Sequence, residues 1–223
     1  MVKKIWIIGP KKWNFSGKIQ QNLLSSIYFI DGGAKYLNPL SKIDAFNIPS
    51  FVIGDGDSFK GDEDEIEELF DLKYPREKDS SDFALGIKSI RMLDKKLEKN
   101  DDLEISLFGF HGGRLDHQIA IFGEIRAYLL DHPKDSFCLF DENNSPVANF
   151  FLGKRSFEYS GTFSLFSFEK TEVTIKGLCR YQDQRLTLNP LESRGLSNEA
   201  YGKFIIKSSS PLFIYWAEEE VEI

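Results

Sequence analysis

Aspartate recurs wherever an apolar run of this chain gives way to small residues. Residues 27–30 run into Asp31-Gly32-Gly33-Ala34, and residues 51–53 into Gly54-Asp55-Gly56-Asp57-Ser58. Residues 69–73 lead to Lys78-Asp79-Ser80-Ser81-Asp82, and residues 104–108 to Gly112-Gly113-Arg114-Leu115-Asp116-His117. One at a time these aspartates are ordinary: Asp31 as a turn former, Asp79 as a charge at a helix start, Asp116 as a cap. Gathered on one edge of a sheet they mean more. Carboxylates held close together repel one another unless a cation lies between them. Oxygen-only ligands suit Mg²⁺, which binds through one or two carboxylates and substrate phosphate.

The segment from Gly109 to His117 supplies the opposite charge. Gly112 and Gly113 let backbone approach a ligand closely, and Arg114 stands where a helix begins. A strand, a Gly-Gly-Arg turn and a helix N-terminus suit a phosphate; the plain alternative is an ordinary βα turn. Other motifs fail. Asp55-Gly56-Asp57 opens like a calcium loop, but Phe59, Lys60 and Ile66 stand where a ligand, the turn glycine and the bidentate Glu are required. No Walker A or G-x-G-x-x-G pattern occurs. His111 and His117 have no Cys or third His near them in sequence, so a hydrogen-bonding or phosphate-contacting role fits better than zinc.

The elements that must position these residues alternate in the first part of the chain. Strands are predicted over 5–8, 27–30, 51–53, 69–73 and 104–108, and helices over 17–25, 33–40, 81–99 and 115–130. Phe83, Ile87, Ile90, Leu93 and Leu97 make one apolar stripe, with Ser80 or Ser81 as cap. Leu115, Ile119, Phe122, Ile125 and Leu129 make another. Alternating units of this kind predict a mostly parallel, Rossmann-like α/β sheet, whose ligands sit beyond the carboxyl ends of its strands. The pattern changes at Asp131-His132-Pro133. Beyond it come only short β-type runs, over 137–140, 147–152, 162–168, 173–178, 186–188, 203–207 and 212–216, which predict a β-sandwich. The expected division is therefore an α/β domain over 1–133 and a β domain over 134–223. The acidic run 62–68 is expected to be a solvated surface segment.

With 223 residues, 41% hydrophobic and 28% charged, the chain is an ordinary globular protein in composition. A net charge of −7 argues against a nucleic-acid partner held by electrostatics. No stretch is long and apolar enough to predict a membrane partner. The apolar run after Lys3-Lys4 is short and suits a first strand better than a leader. Cys138 and Cys179 have no metal-ligand spacing and suit a reducing, cytoplasmic setting.

In order, Asp31-Gly32-Gly33-Ala34, Gly54-Asp55-Gly56-Asp57-Ser58, Lys78-Asp79-Ser80-Ser81-Asp82, Gly112-Gly113-Arg114-Leu115-Asp116-His117 and Gly195-Leu196-Ser197-Asn198-Glu199 resemble the motifs of the thiamine pyrophosphokinases. The resemblance runs from about Ile27 to Trp216. It implies transfer of the β,γ-diphosphate of ATP to the hydroxyethyl group of thiamine, with AMP as the other product. It also implies a homodimer whose active sites are shared between subunits. On that basis Asp55 and Asp57 hold Mg²⁺. Lys78, Ser81, Gly112, Gly113, Arg114, Asp116 and His117 bind ATP. Tyr181, Ser197 and Asn198 face thiamine. Arg114 and Lys78 offset phosphate charge, and Asp79, Asp82 or Asp31 orients or deprotonates the hydroxyl. Three departures stand out. Gly56 replaces a large apolar residue, and Ser81 replaces Thr. In Gly177-Leu178-Cys179-Arg180-Tyr181 the aromatic comes one residue late, so a bulge must restore its direction if it is to stack on thiamine. The rival expectations are a metal-dependent phosphohydrolase and a non-catalytic thiamine- or nucleotide-binding homologue.

Overall fold

Buried β-branched and aromatic residues dominate the first strands, and in the computed structural model they form parallel ladders. The structure describes residues 1–15, 24–41, 48–58, 69–77, 79–98, 100–181 and 184–217. The predicted helix over 17–25, except Leu24 and Ser25, lies outside these residues. So do the acidic run 62–68 and Lys78. The chain is mixed α/β and built on a large sheet. It divides into two compact units that interleave in sequence: Met1–Ile121 with Leu139–Ser145, and Phe122–Cys138 with Pro146–Ile223.

In the first unit, β1 (Val2–Ile8), β2 (Leu24–Ile30), β3 (Ser50–Gly54), β4 (Leu72–Lys73) and β5 (Asp102–Phe108) lie in the order β4-β3-β2-β1-β5. Every pairing is parallel. Ile8 faces Phe29 on one side and Phe108 on the other, and Ile30 faces Ile53. The carboxyl ends are therefore level. The chain steps outward from β1 to β4, then returns to β5 on the far side of β1. The crevice between β1 and β5, where strand order reverses, is where such sheets bind ligands.

The predicted strand over 69–73 is reduced to two residues. Phe70 turns into the core, and the Asp71 carboxylate accepts a bond from the Val52 N–H at 2.7 Å. The predicted helix over 33–40 is a 3-10 helix, Asp31–Tyr36, running into the short α1 (Leu37–Ser41). Gly33 lets this segment pack close on β1. A Cβ there would lie 2.1 Å from the Ile8 carbonyl oxygen. α2 (Asp82–Leu93) starts as predicted, with Ser81 Oγ accepting from the Ala84 N–H at 3.2 Å. It ends earlier than predicted, at Asp94. That side chain accepts from the Lys96 N–H at 2.9 Å, a local bond that competes with helix continuation. Leu97 thus lies beyond the helix.

In the second unit the predicted short runs fuse. Residues 147–152 and all but the last two of 162–168 belong to one 21-residue strand, β7 (Pro146–Phe166). Residues 203–207 and 212–216 belong to a 19-residue strand. β6 (Ser136–Phe140) precedes them, and β8 (Thr171–Cys179), β9 (Arg185–Leu188) and β10 (Asn198–Trp216) follow. The ladder order here is β7-β10-β8-β9. Register shows why the long strands need not be flat. Asn198 to Ser208 face Phe163 to Gly153, whereas Leu212 to Tyr215 face Phe151 to Ala148, and Phe213 to Trp216 also face Phe166 to Phe163. Each long strand therefore serves two ladders. The unit folds back on a core that includes Phe151, Phe163, Leu165, Val173, Phe204 and Trp216.

α3 (Leu115–Asp131) corrects the sequence expectation. Ile125 and Leu129 are buried, and Phe122 meets Phe150 and Phe213 at 5.1 and 5.6 Å. Leu115 and Ile119, assigned to the same stripe, are 72% and 50% exposed. No helix among the described residues is long and apolar enough to cross a membrane.

Candidate active site

Level strand ends bring Asp31, after β2, next to Asp55 and Asp57, after β3. Ligand oxygens of these three lie within 4.8 Å of one another. Asp31 and Asp55 are buried, and Asp57 is exposed. The loop is cross-tied. Ser58 Oγ donates to Asp31 Oδ2 at 2.5 Å and to Asp57 Oδ1 at 3.1 Å, and the Asp57 N–H donates to Asp55 Oδ1 at 3.0 Å. Two features suit a cation. Asp31 has φ +46°, a left-handed conformation that costs a non-glycine residue about 1–3 kcal/mol. Its Oδ1 is buried and has no hydrogen-bond partner among the described residues. An all-oxygen set that includes a buried, partnerless carboxylate oxygen fits a hard divalent ion. Sequence reasoning placed the metal on Asp55 and Asp57; the geometry adds Asp31 to the group.

The Gly-Gly turn after β5 is formed as the sequence suggested. Gly112 and Gly113 have φ +78° and +74°. Arg114 does not point to an empty site. Its Nε donates to Asp116 Oδ1 at 3.1 Å and an Nη to Oδ2 at 2.5 Å. This pairing pulls the Asp116 carboxyl down to about 2. Both side chains are largely exposed, as is His117. Phe83, in the first turn of α2, meets Phe110 at 5.0 Å, which sets that helix start against the β5 turn. Ser81 is occupied as the α2 cap, Asp82 is half-buried in the first turn, and Asp79 is exposed. Among the described residues the close carboxylate group contains Asp31, Asp55 and Asp57, and neither Asp79 nor Asp82 joins it.

Sequence reasoning missed Lys11. Its ammonium donates to the Phe110 carbonyl at 2.7 Å and also to the Gly112 carbonyl. Partial burial lowers its pKa. The available signal was Ile8-Gly9-Pro10-Lys11, a cation just past the first strand end.

In the second unit, Asn198 is buried and its amide donates to the Gly195 carbonyl at 2.8 Å, so it also braces its own turn. Ser197 is exposed with φ +55°. Tyr181 is 37% exposed, with the Arg180 guanidinium 5.7 Å from its ring centre. Arg180 and Tyr201 both bond Glu199, at 3.1 and 2.6 Å. The β8–β10 ladder holds a bulge. Cys179 faces Ala200 but Gly177 faces Phe204, so β10 carries the extra residues opposite Leu178.

The family model "Thiamin pyrophosphokinase, catalytic domain" matches residues 21–132, half of the chain. The chain belongs to the thiamin pyrophosphokinase family. The activity of that family is ATP-dependent transfer of diphosphate to thiamine, giving AMP and thiamine diphosphate. Solved thiamin pyrophosphokinases share the fold. The one from Candida albicans is 16% identical with a TM-score of 0.71, covering 95% of this chain and 88% of its own. The Bacillus subtilis structure is 21% identical with a TM-score of 0.66, covering 97% and 100%. The yeast structure is 12% identical with a TM-score of 0.65, covering 95% and 85%. No curated protein sequence matches. The thiamin pyrophosphokinase match takes in Asp31, Asp55, Asp57 and the Gly-Gly-Arg turn, and ends before Tyr181, Ser197 and Asn198.

Proposed function

We propose that the chain makes thiamine diphosphate with Mg²⁺ held by Asp31, Asp55 and Asp57, and the ATP phosphates held against the Gly112-Gly113-Arg114 turn. The observation that carries this reading is the convergence of those three carboxylates at the carboxyl edge of a parallel sheet, in a chain of this family. A divalent ion there would offset the negative charge of the diphosphate oxygens.

The rest falls to the chain's own residues. Arg114 trades its bond with Asp116 for phosphate oxygens, and Lys78 adds a second positive charge. The thiamine hydroxyl oxygen attacks the β-phosphorus in line, the bond to the α,β-bridging oxygen breaks, and AMP leaves. The hydroxyl proton passes to a carboxylate; with Asp31 given to the metal, Asp79 and Asp82 are the candidates. Asp116 and His117 line the ATP side, and Ser81 keeps α2 in place. Residues 1–133 handle ATP and metal, and residues 134–223 bind thiamine and pair subunits. Tyr181, Ser197 and Asn198 of one subunit complete the site of the other, in a cytoplasmic homodimer. The exposed Leu115, Ile119, Leu178 and Leu196 supply apolar surface for such pairing.

The test is incubation of purified chain with thiamine, ATP and MgCl₂, with all products separated. AMP and thiamine diphosphate in equal amounts support the reading. Phosphate release without thiamine diphosphate identifies a hydrolase, and binding without turnover a non-catalytic homologue; either overturns it.

A further inference from the structure

Lys11 sits at the crevice where strand order reverses, and it is fixed there from several directions. Its N–H donates to the Gly109 carbonyl at 3.0 Å, and its own carbonyl accepts from Tyr36 Oη at 3.0 Å. Trp13, two residues on, is buried and stacks on Phe108 at 4.9 Å. Lys35 donates to the Pro10 carbonyl just before it. With its backbone pinned, the Lys11 side chain delivers its ammonium to the carbonyl oxygens of Phe110 and Gly112. The Lys11 Cε would lie 3.3 Å from a Cβ on Gly113, so stem and turn are in contact.

The consequence follows from peptide planarity. In a trans peptide the C=O and the following N–H point in opposite directions. Drawing the Phe110 and Gly112 carbonyls onto Lys11 turns the His111 and Gly113 N–H groups the other way. Neither N–H donates to another group among the described residues. The Gly112 N–H between them is held by Gln118 Oε1 at 3.1 Å. Two amides turned away from Lys11, beside Arg114 and the start of α3, form a donor set suited to an anion.

We infer that Lys11 is a positioning residue for diphosphate transfer. By gripping the carbonyls of the Gly-Gly turn from behind, it aims the His111 and Gly113 amides at the ATP phosphates without touching them. This rests on the reading of that turn as the phosphate site.

Kinetics of Lys11→Met, Lys11→Arg and Arg114→Lys separate the two. The expectation is that Lys11→Met raises KM for ATP about 10- to 100-fold, the range for loss of an outer-shell orienting group. KM for thiamine stays unchanged, and Lys11→Arg recovers most of the loss. If Arg114→Lys raises KM for ATP and Lys11→Met does not, the role of Lys11 is refuted while the phosphate site stands. If both leave KM for ATP unchanged, the phosphate reading fails first. A second measurement needs no variant. In the wild-type protein, added ATP should move the His111 and Gly113 amide resonances and leave the Lys11 ε-methylene signals in place. Movement of the Lys11 signals as large as that of the amides means direct contact and overturns the positioning role.

Discussion

At the scale of single residues, Asp31 separates function from stability. It holds a left-handed φ and a buried carboxylate oxygen without a partner, next to two more carboxylates. Asn tolerates that φ and removes one negative charge. Asp31→Asn is therefore expected to raise Tm of the metal-free protein by a few degrees, to lose most of the Tm gain on adding MgCl₂, and to lose turnover. Thermal melts with and without Mg²⁺ check this. Asp55→Asn and Asp57→Asn should each lower kcat at least about a thousandfold, since losing a metal-bound charge removes several kcal/mol of transition-state stabilisation. Wild-type rates in both would exclude the metal site. Asp116 gives a pH prediction. Its folded pKa, about 2, lies below the ordinary 3.8, because Arg114 bonds the charged form. The pair's contribution is thus present above pH 4 and lost as pH falls toward 2. Both groups are exposed, so the contribution is small. The Tm difference between wild type and Asp116→Asn should vanish by about pH 2.

At the scale of elements, glycines mark where one piece of backbone must touch another. Gly33 lets the 3-10 helix pack against β1, and a Cβ there would sit 2.1 Å from the Ile8 carbonyl. Rigid backbone cannot yield as a flexible side chain does. Gly33→Ala should cost about 3 kcal/mol or more and disorder the Asp31 turn. Gly112 has the opposite profile. A Cβ there meets nothing within 4 Å, but φ is +78°. Gly112→Ala should cost only the left-handed penalty, about 1–2 kcal/mol. Urea denaturation of both variants checks the contrast, and equal losses would contradict it. The bulge between Ala200 and Phe204 has a similar local origin. Gly177 lies with φ +110° against the Lys203 carbonyl, so β8 can pass β10 there without a side chain between them.

At the scale of the whole molecule, the decisive property is assembly. The residues proposed for metal and ATP belong to the first unit and those proposed for thiamine to the second, and several large apolar side chains are exposed on each. Complementation tests a shared site. A subunit carrying Asp55→Asn is mixed with one carrying Tyr181→Ala and Ser197→Gly; Asn198 is left alone because it braces the Gly195 turn. Exchange should restore one intact site per heterodimer, hence roughly a quarter of wild-type activity after random mixing of equal amounts. Sedimentation at working concentration should show a dimer. A fully active monomer would falsify the arrangement.

What the sequence determined by itself was chemical and periodic. Aspartates after apolar runs, a Gly-Gly-Arg turn and alternating elements pointed to a parallel sheet with a phosphate-and-metal edge. Residue type and spacing 2 or 3.6 are properties of the chain alone. The β1, β2, β3 and β5 strands and the start of α2 follow from them. What tertiary structure decided depended on which pieces meet. Asp31 joins Asp55 and Asp57 because β2 pairs with β3 in level register. α2 stops at Asp94 through a side-chain bond that its apolar stripe did not announce. Separate β-runs become two long strands because each is paired along its whole length by the other. Lys11 was illegible for the same reason. Nothing near it in the chain reveals a partner, since the carbonyls it grips arrive about a hundred residues later, in the turn that follows β5, the strand paired with β1.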